Sequence, residues 1–151
     1  MLLEVKLNHT LRKIAVKIVI DTYAWIELLI GSERGAKVKE ILSEADEVYT
    51  SDIVLAETAR KFYREGTDEE TISRWIETIT DASVVTPIDP VIALEAAKCQ
   101  SELIKDAKSL KQNTPSLFDA IVYATAKVKD CKMLTGDEHF RNLPDVLWIG
   151  K

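Results

Sequence analysis

The chain has 151 residues, 46% of them hydrophobic and 30% charged, with 5 Gly and 4 Pro, which is enough for one domain with a buried core and excludes a disordered, fibrous or low-complexity protein. A formal net charge of −5 excludes a protein that coats nucleic acid through a basic face, but not one whose acids hold a phosphate substrate through cations. Two widely spaced cysteines, Cys99 and Cys131, exclude a disulfide scaffold or a Cys-based zinc site. They read as small buried apolar residues, and a reducing cytoplasm is the expected setting.

In chain order, residues 1–16 form a leader containing Glu4, Lys6, Arg12 and Lys13 and no small-residue cleavage site, so they do not read as a signal peptide. An extra strand, a flexible arm and a start codon placed too early all stay open. No stretch approaches the roughly 18 consecutive apolar residues of a membrane span. The domain proper runs over 17–151.

It begins with Ile18-Val19-Ile20, a β-branched run of the kind found in a strand buried on both faces, stopped by Asp21. A helix is predicted over 22–30, closed by Gly31, and another over 34–45. A strand is expected at 47–50, with Ser51 as N-cap of a helix reaching Glu65. Thr67-Asp68-Glu69-Glu70 opens a further helix with acids in its first turn and an apolar stripe of Ile72, Trp75, Ile76 and Ile79. A third strand is predicted at 83–86, then a helix over 89–107, a polar loop over 108–115 and a helix over 116–129. Strands at 132–135 and 146–149 complete the pattern. Short strands alternating with helices predict an α/β fold, a three-layer α/β/α sandwich around a parallel sheet of about five strands.

Ligands of open parallel sheets bind beyond the carboxyl ends of the strands. Asp21 follows the first strand directly, and Asp137 lies two residues past the end of the fourth. Either could equally cap a helix or turn. Glu57 shares a helix face with Ile53 and Val54, where a carboxylate is costly unless cations or donors satisfy it. Asp119 shares a face with Val122 and Tyr123, yet Ser116-Leu117-Phe118-Asp119 also matches a capping box. Gathered together, such carboxylates repel one another unless cations neutralise them. Oxygen ligands alone favour Mg²⁺ or Mn²⁺, one or two ions, over zinc. Such ions can activate and orient water for in-line attack on a phosphodiester.

Four segments carry a resemblance. Ile18-Val19-Ile20-Asp21-Thr22-Tyr23-Ala24-Trp25 resembles the first strand and first acid of the PIN domain, and Ser51-Asp52-Ile53-Val54-Leu55-Ala56-Glu57 is similar to its second acidic segment. Ser116-Leu117-Phe118-Asp119-Ala120, followed by Ala124-Thr125-Ala126, resembles the third, and Leu134-Thr135-Gly136-Asp137-Glu138-His139-Phe140 the fourth. Within that family the chain looks like the VapC-type toxin ribonucleases of toxin–antitoxin pairs. The resemblance, over about residues 17–149, implies a metal site of Asp21, Glu57, Asp119 and Asp137, with Thr135 in support. It further implies a Mg²⁺ or Mn²⁺ cofactor, an RNA substrate, a small antitoxin partner and a homodimer. The leader is not part of the pattern.

Other residues are weighed on their own chemistry. Arg60, Lys61 and Arg64 follow Glu57 at helical spacings, so Arg60 and Arg64 are candidate contacts to an RNA backbone, against a solvated face of intrahelical ion pairs. Lys105, Lys108 and Lys111 read as solvated lysines. His139 is set aside as a general base, because a metal-bound water needs none, and reads as a surface or supporting residue. Trp25, Trp75 and Trp148 read as core or oligomer contacts rather than base-stacking platforms. The expected function is therefore a metal-dependent endoribonuclease, the toxin of a toxin–antitoxin pair. The alternatives are a housekeeping RNA-processing or structure-specific DNA nuclease and a non-catalytic PIN-fold binding module.

Overall fold

Consecutive side chains of a strand alternate between its two faces, and in the computed structural model, which describes residues 14–151, Ile18, Val19 and Ile20 are all fully buried. A strand dry on both faces must lie inside a sheet with helices over each side. Accordingly β1 (Lys17–Ile20) is the centre of a five-stranded sheet in which every pairing is parallel, in the order β3-β2-β1-β4-β5. The other strands are β2 (Glu47–Ser51), β3 (Val84–Thr86), β4 (Lys132–Thr135) and β5 (Val146–Trp148). Six helices connect them: α1 (Thr22–Leu29), α2 (Glu33–Glu44), α3 (Asp52–Arg64), α4 (Glu69–Ala82), α5 (Pro90–Ser109) and α6 (Leu117–Val128). The three-layer α/β/α sandwich expected from the alternation is the fold.

Register follows from the apolar residues. Val19 stands opposite Tyr49 of β2 and Met133 of β4, and Ile20 opposite Leu134. Ile18, Ile20, Ile79, Ile92, Met133 and Leu134 are sealed from solvent, each contributing on the order of 2 kcal/mol of apolar burial. Trp25 is fully buried with its indole N–H donating to Thr50 Oγ1 at 3.1 Å, and Trp75 stacks obliquely on Phe62 with ring centroids 4.5 Å apart. Cys99 and Cys131 are buried free thiols, as read from the sequence.

Helix ends explain most of the boundaries. Gly31 (φ 70°) and Gly66 (φ 85°) adopt the left-handed conformation just past α1 and α3, where a Cβ would be strained. Ser32, Asp68 and Asp89 accept a backbone N–H at the starts of α2, α4 and α5. Ser51 differs from expectation. It occupies the N-cap position of α3, but it is also the last residue of β2, fully buried, and its hydroxyl has no hydrogen-bond partner among the described residues. Burial at the strand end has overridden a local capping preference. Two further differences are the extension of α5 to Ser109 and a single 3₁₀ turn, Glu138–Phe140, where no element was expected.

Residues 1–13 of the leader lie outside the described residues. At its end the Val16 carbonyl accepts from the Asp46 and Glu47 amides, leading the chain into β1. Among the described residues no helix is long and apolar enough to cross a membrane.

The topology decides where a ligand can sit. The first described strand, β1, lies at the sheet centre, and the chain works outward from it through β2 and β3, then returns through α5 and α6 to place β4 against β1. Connections leave in opposite directions from β1 and β4, which opens a crevice above their carboxyl ends.

Candidate active site

Asp21 and Asp137 follow the carboxyl ends of these two neighbouring strands. The Asp21 amide donates to the Leu134 carbonyl at 3.0 Å, carrying the β1–β4 ladder one residue further. Its carboxylate, 5% exposed, makes no cap bond to α1 and instead accepts from Thr135 Oγ1 at 2.7 Å. The same fully buried hydroxyl accepts from the Asp137 amide at 3.1 Å. Thr135 thus fixes one strand-end acid by its side chain and the other by its backbone, through a single oxygen.

Asp137 does cap, accepting the His139 amide on Oδ1 at 3.0 Å at the head of the 3₁₀ turn. Asp119 does likewise. Its Oδ2 accepts the Ser116 amide at 3.0 Å while its own amide donates to Ser116 Oγ at 3.1 Å, completing the capping box read from the sequence. Both acids are half-buried, and their caps orient the carboxylates without filling every lone pair. Glu57 is half-buried on α3 and takes one long bond, 3.4 Å, from Thr22 Oγ1.

These groups sense each other. Burial pushes the Asp21 carboxyl up to about 7, opposed by the Thr135 hydrogen bond and reinforced by the charges of Asp119 and Asp137. Burial also raises Glu57, with Asp119 adding to the shift and Thr22 and Arg60 opposing it. Asp119 is raised by burial, held back by its bonds to Ser116 and raised again by Asp137. All four acids therefore share one negative field. The tightest group is narrower: ligand atoms of Asp119, Asp137 and His139 lie within 4.8 Å of one another, with Asp21 and Glu57 outside that triangle. Half-buried carboxylates this close are tolerable with a cation among them, and the donor set fits a divalent ion.

His139, set aside on sequence, is thus part of the cluster. Its Nε2 is 2.6 Å from the Asn113 carbonyl and its Nδ1 3.2 Å from Asp137 Oδ1. The spacing Asp137-Glu138-His139 was the only signal, and it becomes informative once a tight turn folds the third residue back on the first. Arg60 is exposed with its guanidinium 5.9 Å over the Phe118 ring, which ties α3 to α6 beside Glu57 and Asp119; Arg64 is exposed a turn further along. Lys105, Lys108 and Lys111 are all exposed as expected, and Lys111 also joins Tyr23, Asn113, Asp137 and His139 in lining a cleft of about 580 Å³.

Against this geometry, the family model described as PIN domain matches residues 18–146. The chain belongs to the PIN domain family. No curated protein sequence matches it significantly. Solved structures with the same fold include VapBC2 from Rickettsia felis bound to a promoter DNA fragment, with a TM-score of 0.68 at 13% identity, covering 88% of this chain and 97% of that one. VapBC-1 from nontypeable Haemophilus influenzae gives 0.65 at 21% identity, covering 88% and 96%. VapC20 of Mycobacterium tuberculosis, a sarcin–ricin loop cleaving toxin, gives 0.62 at 21% identity, covering 82% and 92%. The chain is thus a PIN domain resembling VapC toxins. The acidic cluster of this PIN domain stands at the switch point of its sheet.

Proposed function

We propose that this PIN domain is a Mg²⁺- or Mn²⁺-dependent endoribonuclease that hydrolyses RNA phosphodiester bonds as the toxin of a toxin–antitoxin pair. The observation that carries the reading is the convergence of acids from β1, α3, α6 and the β4 end into one field. Asp119 and Asp137 would hold one or two ions, with Asp21 and Glu57 completing the site. Bound there, such an ion would lower the pKa of a water and offset charge building on the phosphate oxygens.

The residues of the chain supply position and field. Thr135 donates to Oδ2 of Asp21 and so restrains the orientation of that carboxylate. Ser116 restrains Asp119, and the burial of Asp21 keeps bulk water from that carboxylate. Arg60 and Arg64 offer positive charge on the helix that bears Glu57, suited to neighbouring RNA phosphates. A small antitoxin partner belongs to the same reading, supported by the VapBC complexes among the similar structures, and a homodimer and a cytoplasmic setting are proposed with it.

The test is cleavage of single-stranded and structured RNA by the wild type and by Asp21→Asn, with Mg²⁺, with Mn²⁺ and with EDTA. The wild type is expected to cut only with a divalent ion, and the nearly isosteric variant to lose at least about 100-fold in rate. Equal cutting by both proteins refutes the assignment.

A further inference from the structure

The His139 ring is held in an orientation that leaves one nitrogen unexplained. A backbone carbonyl can only accept, so at 2.6 Å from the Asn113 oxygen Nε2 carries the hydrogen and donates it. In the neutral imidazole Nδ1 then presents a lone pair. That nitrogen is buried and makes no hydrogen bond among the described residues, although Asp137 Oδ1 stands 3.2 Å away. Oδ1 already accepts the His139 amide, so whenever the ring is neutral the remaining lone pair of Oδ1 and that of Nδ1 face each other with no donor between them. Asp119 brings further carboxylate charge within 4.8 Å of both.

Two lone pairs that converge in this way are stabilised by a shared cation. Adjacent ligands about 2.1 Å from an octahedral ion stand roughly 3 Å apart, close to the Nδ1–Oδ1 separation. A ring whose outer nitrogen donates to a backbone carbonyl while the inner one faces carboxylates has the arrangement of a metal-bound imidazole. We propose that His139 Nδ1 is a direct ligand of the divalent ion, together with Asp119 and Asp137, so that the site selects a first-row transition ion such as Mn²⁺ over Mg²⁺. The inference rests on the metal-dependent nuclease reading and deepens it. First-row transition ions accept an imidazole nitrogen more readily than Mg²⁺ does, even Mn²⁺ at the weak end of that series, so one nitrogen in the donor set shifts preference away from Mg²⁺.

His139→Gln separates the roles, since a glutamine amide can still donate to the Asn113 carbonyl while supplying nothing at the Nδ1 position. Calorimetric titration with MnCl₂ and MgCl₂ should show the wild type binding Mn²⁺ at least about tenfold more tightly than Mg²⁺, and the variant losing about tenfold or more for Mn²⁺ with Mg²⁺ affinity little changed. Pulsed electron paramagnetic resonance of the Mn²⁺-loaded wild type should show hyperfine coupling to one imidazole nitrogen, a readout that needs no variant to fold. Mn²⁺ bound without that coupling, or with equal affinity in His139→Gln, overturns this inference and leaves the nuclease reading standing. If the wild type binds neither ion, both fall.

Discussion

Asp21→Asn tests the electrostatics of the site apart from its chemistry. In the cation-free protein the Asp21 carboxyl titrates near 7, against 3.8 for the ordinary group. The folded state therefore holds a proton that the unfolded chain has released between those two values, and stability falls as pH rises through that window. Below about pH 4 both states are protonated and nothing is lost. Above about pH 7 the full difference of roughly 3 units, about 4 kcal/mol, weighs against folding. Asparagine removes this term, but its amide brings two N–H donors into a pocket arranged to donate to an acceptor, costing about 1–2 kcal/mol. In EDTA at pH 8 the variant should be more stable by about 2–3 kcal/mol, or roughly 4–10 °C in melting temperature for a domain of this size. At pH 4 the advantage should vanish or reverse. Thermal unfolding followed by circular dichroism across pH 4–8 decides the matter. A variant destabilised equally at both ends of the range would show that Asp21 is ionised at no such cost, and the burial-driven rise of its carboxyl would be refuted.

Thr135→Val removes the hydroxyl that serves Asp21 and the Asp137 amide; it should lower stability by about 1–3 kcal/mol in urea denaturation and cleavage by about 10–100-fold, with Thr135→Ser restoring most of both. Ser116→Ala opens the capping box and should reduce stability by about 1 kcal/mol while cleavage changes only a few-fold, because Asp119 remains in place. Arg64→Ala should weaken RNA binding at low salt and reduce the slope of log affinity against log salt by roughly 0.7, as expected for one lost phosphate contact on a single strand; an unchanged slope would place Arg64 off the RNA path.

Much of this molecule can be read before it is folded. Each strand is a short apolar or β-branched run closed by a residue that ends it, and β1 was unambiguous because Ile18, Val19 and Ile20 have no polar alternation and so require burial on both faces. The capping box at Ser116 and the left-handed Gly31 and Gly66 are local devices whose residues are adjacent in sequence, so their meaning survives without coordinates. Ser51 shows the limit of the same rule, since the identity of a capping residue says nothing about whether tertiary packing will draw its side chain inward. The 3₁₀ turn was invisible because three residues cannot express a period.

The site divides along the same line. Acids at strand ends were legible because topology alone sends strand ends to a shared crevice, and Asp21 and Asp137 needed only that β1 and β4 be neighbours. What the sequence concealed are the contacts that join distant elements: Thr22 to Glu57, Arg60 across to Phe118, and His139 to the carbonyl of Asn113 in the preceding loop. None of these alters the fold class, but each changes what the acids can do, by restraining Glu57, setting a cation at the rim and bringing nitrogen into an otherwise oxygen donor set. The ordinary hydrophobic sheet must carry this arrangement, because the acids oppose folding in the absence of a cation. A ligand at 100 times its dissociation constant adds about 2.7 kcal/mol to the folded state, of the same order as the burden of Asp21 alone. A core closed on both faces of β1 is therefore a condition of the site as well as of the fold, since it holds like charges together against their mutual repulsion.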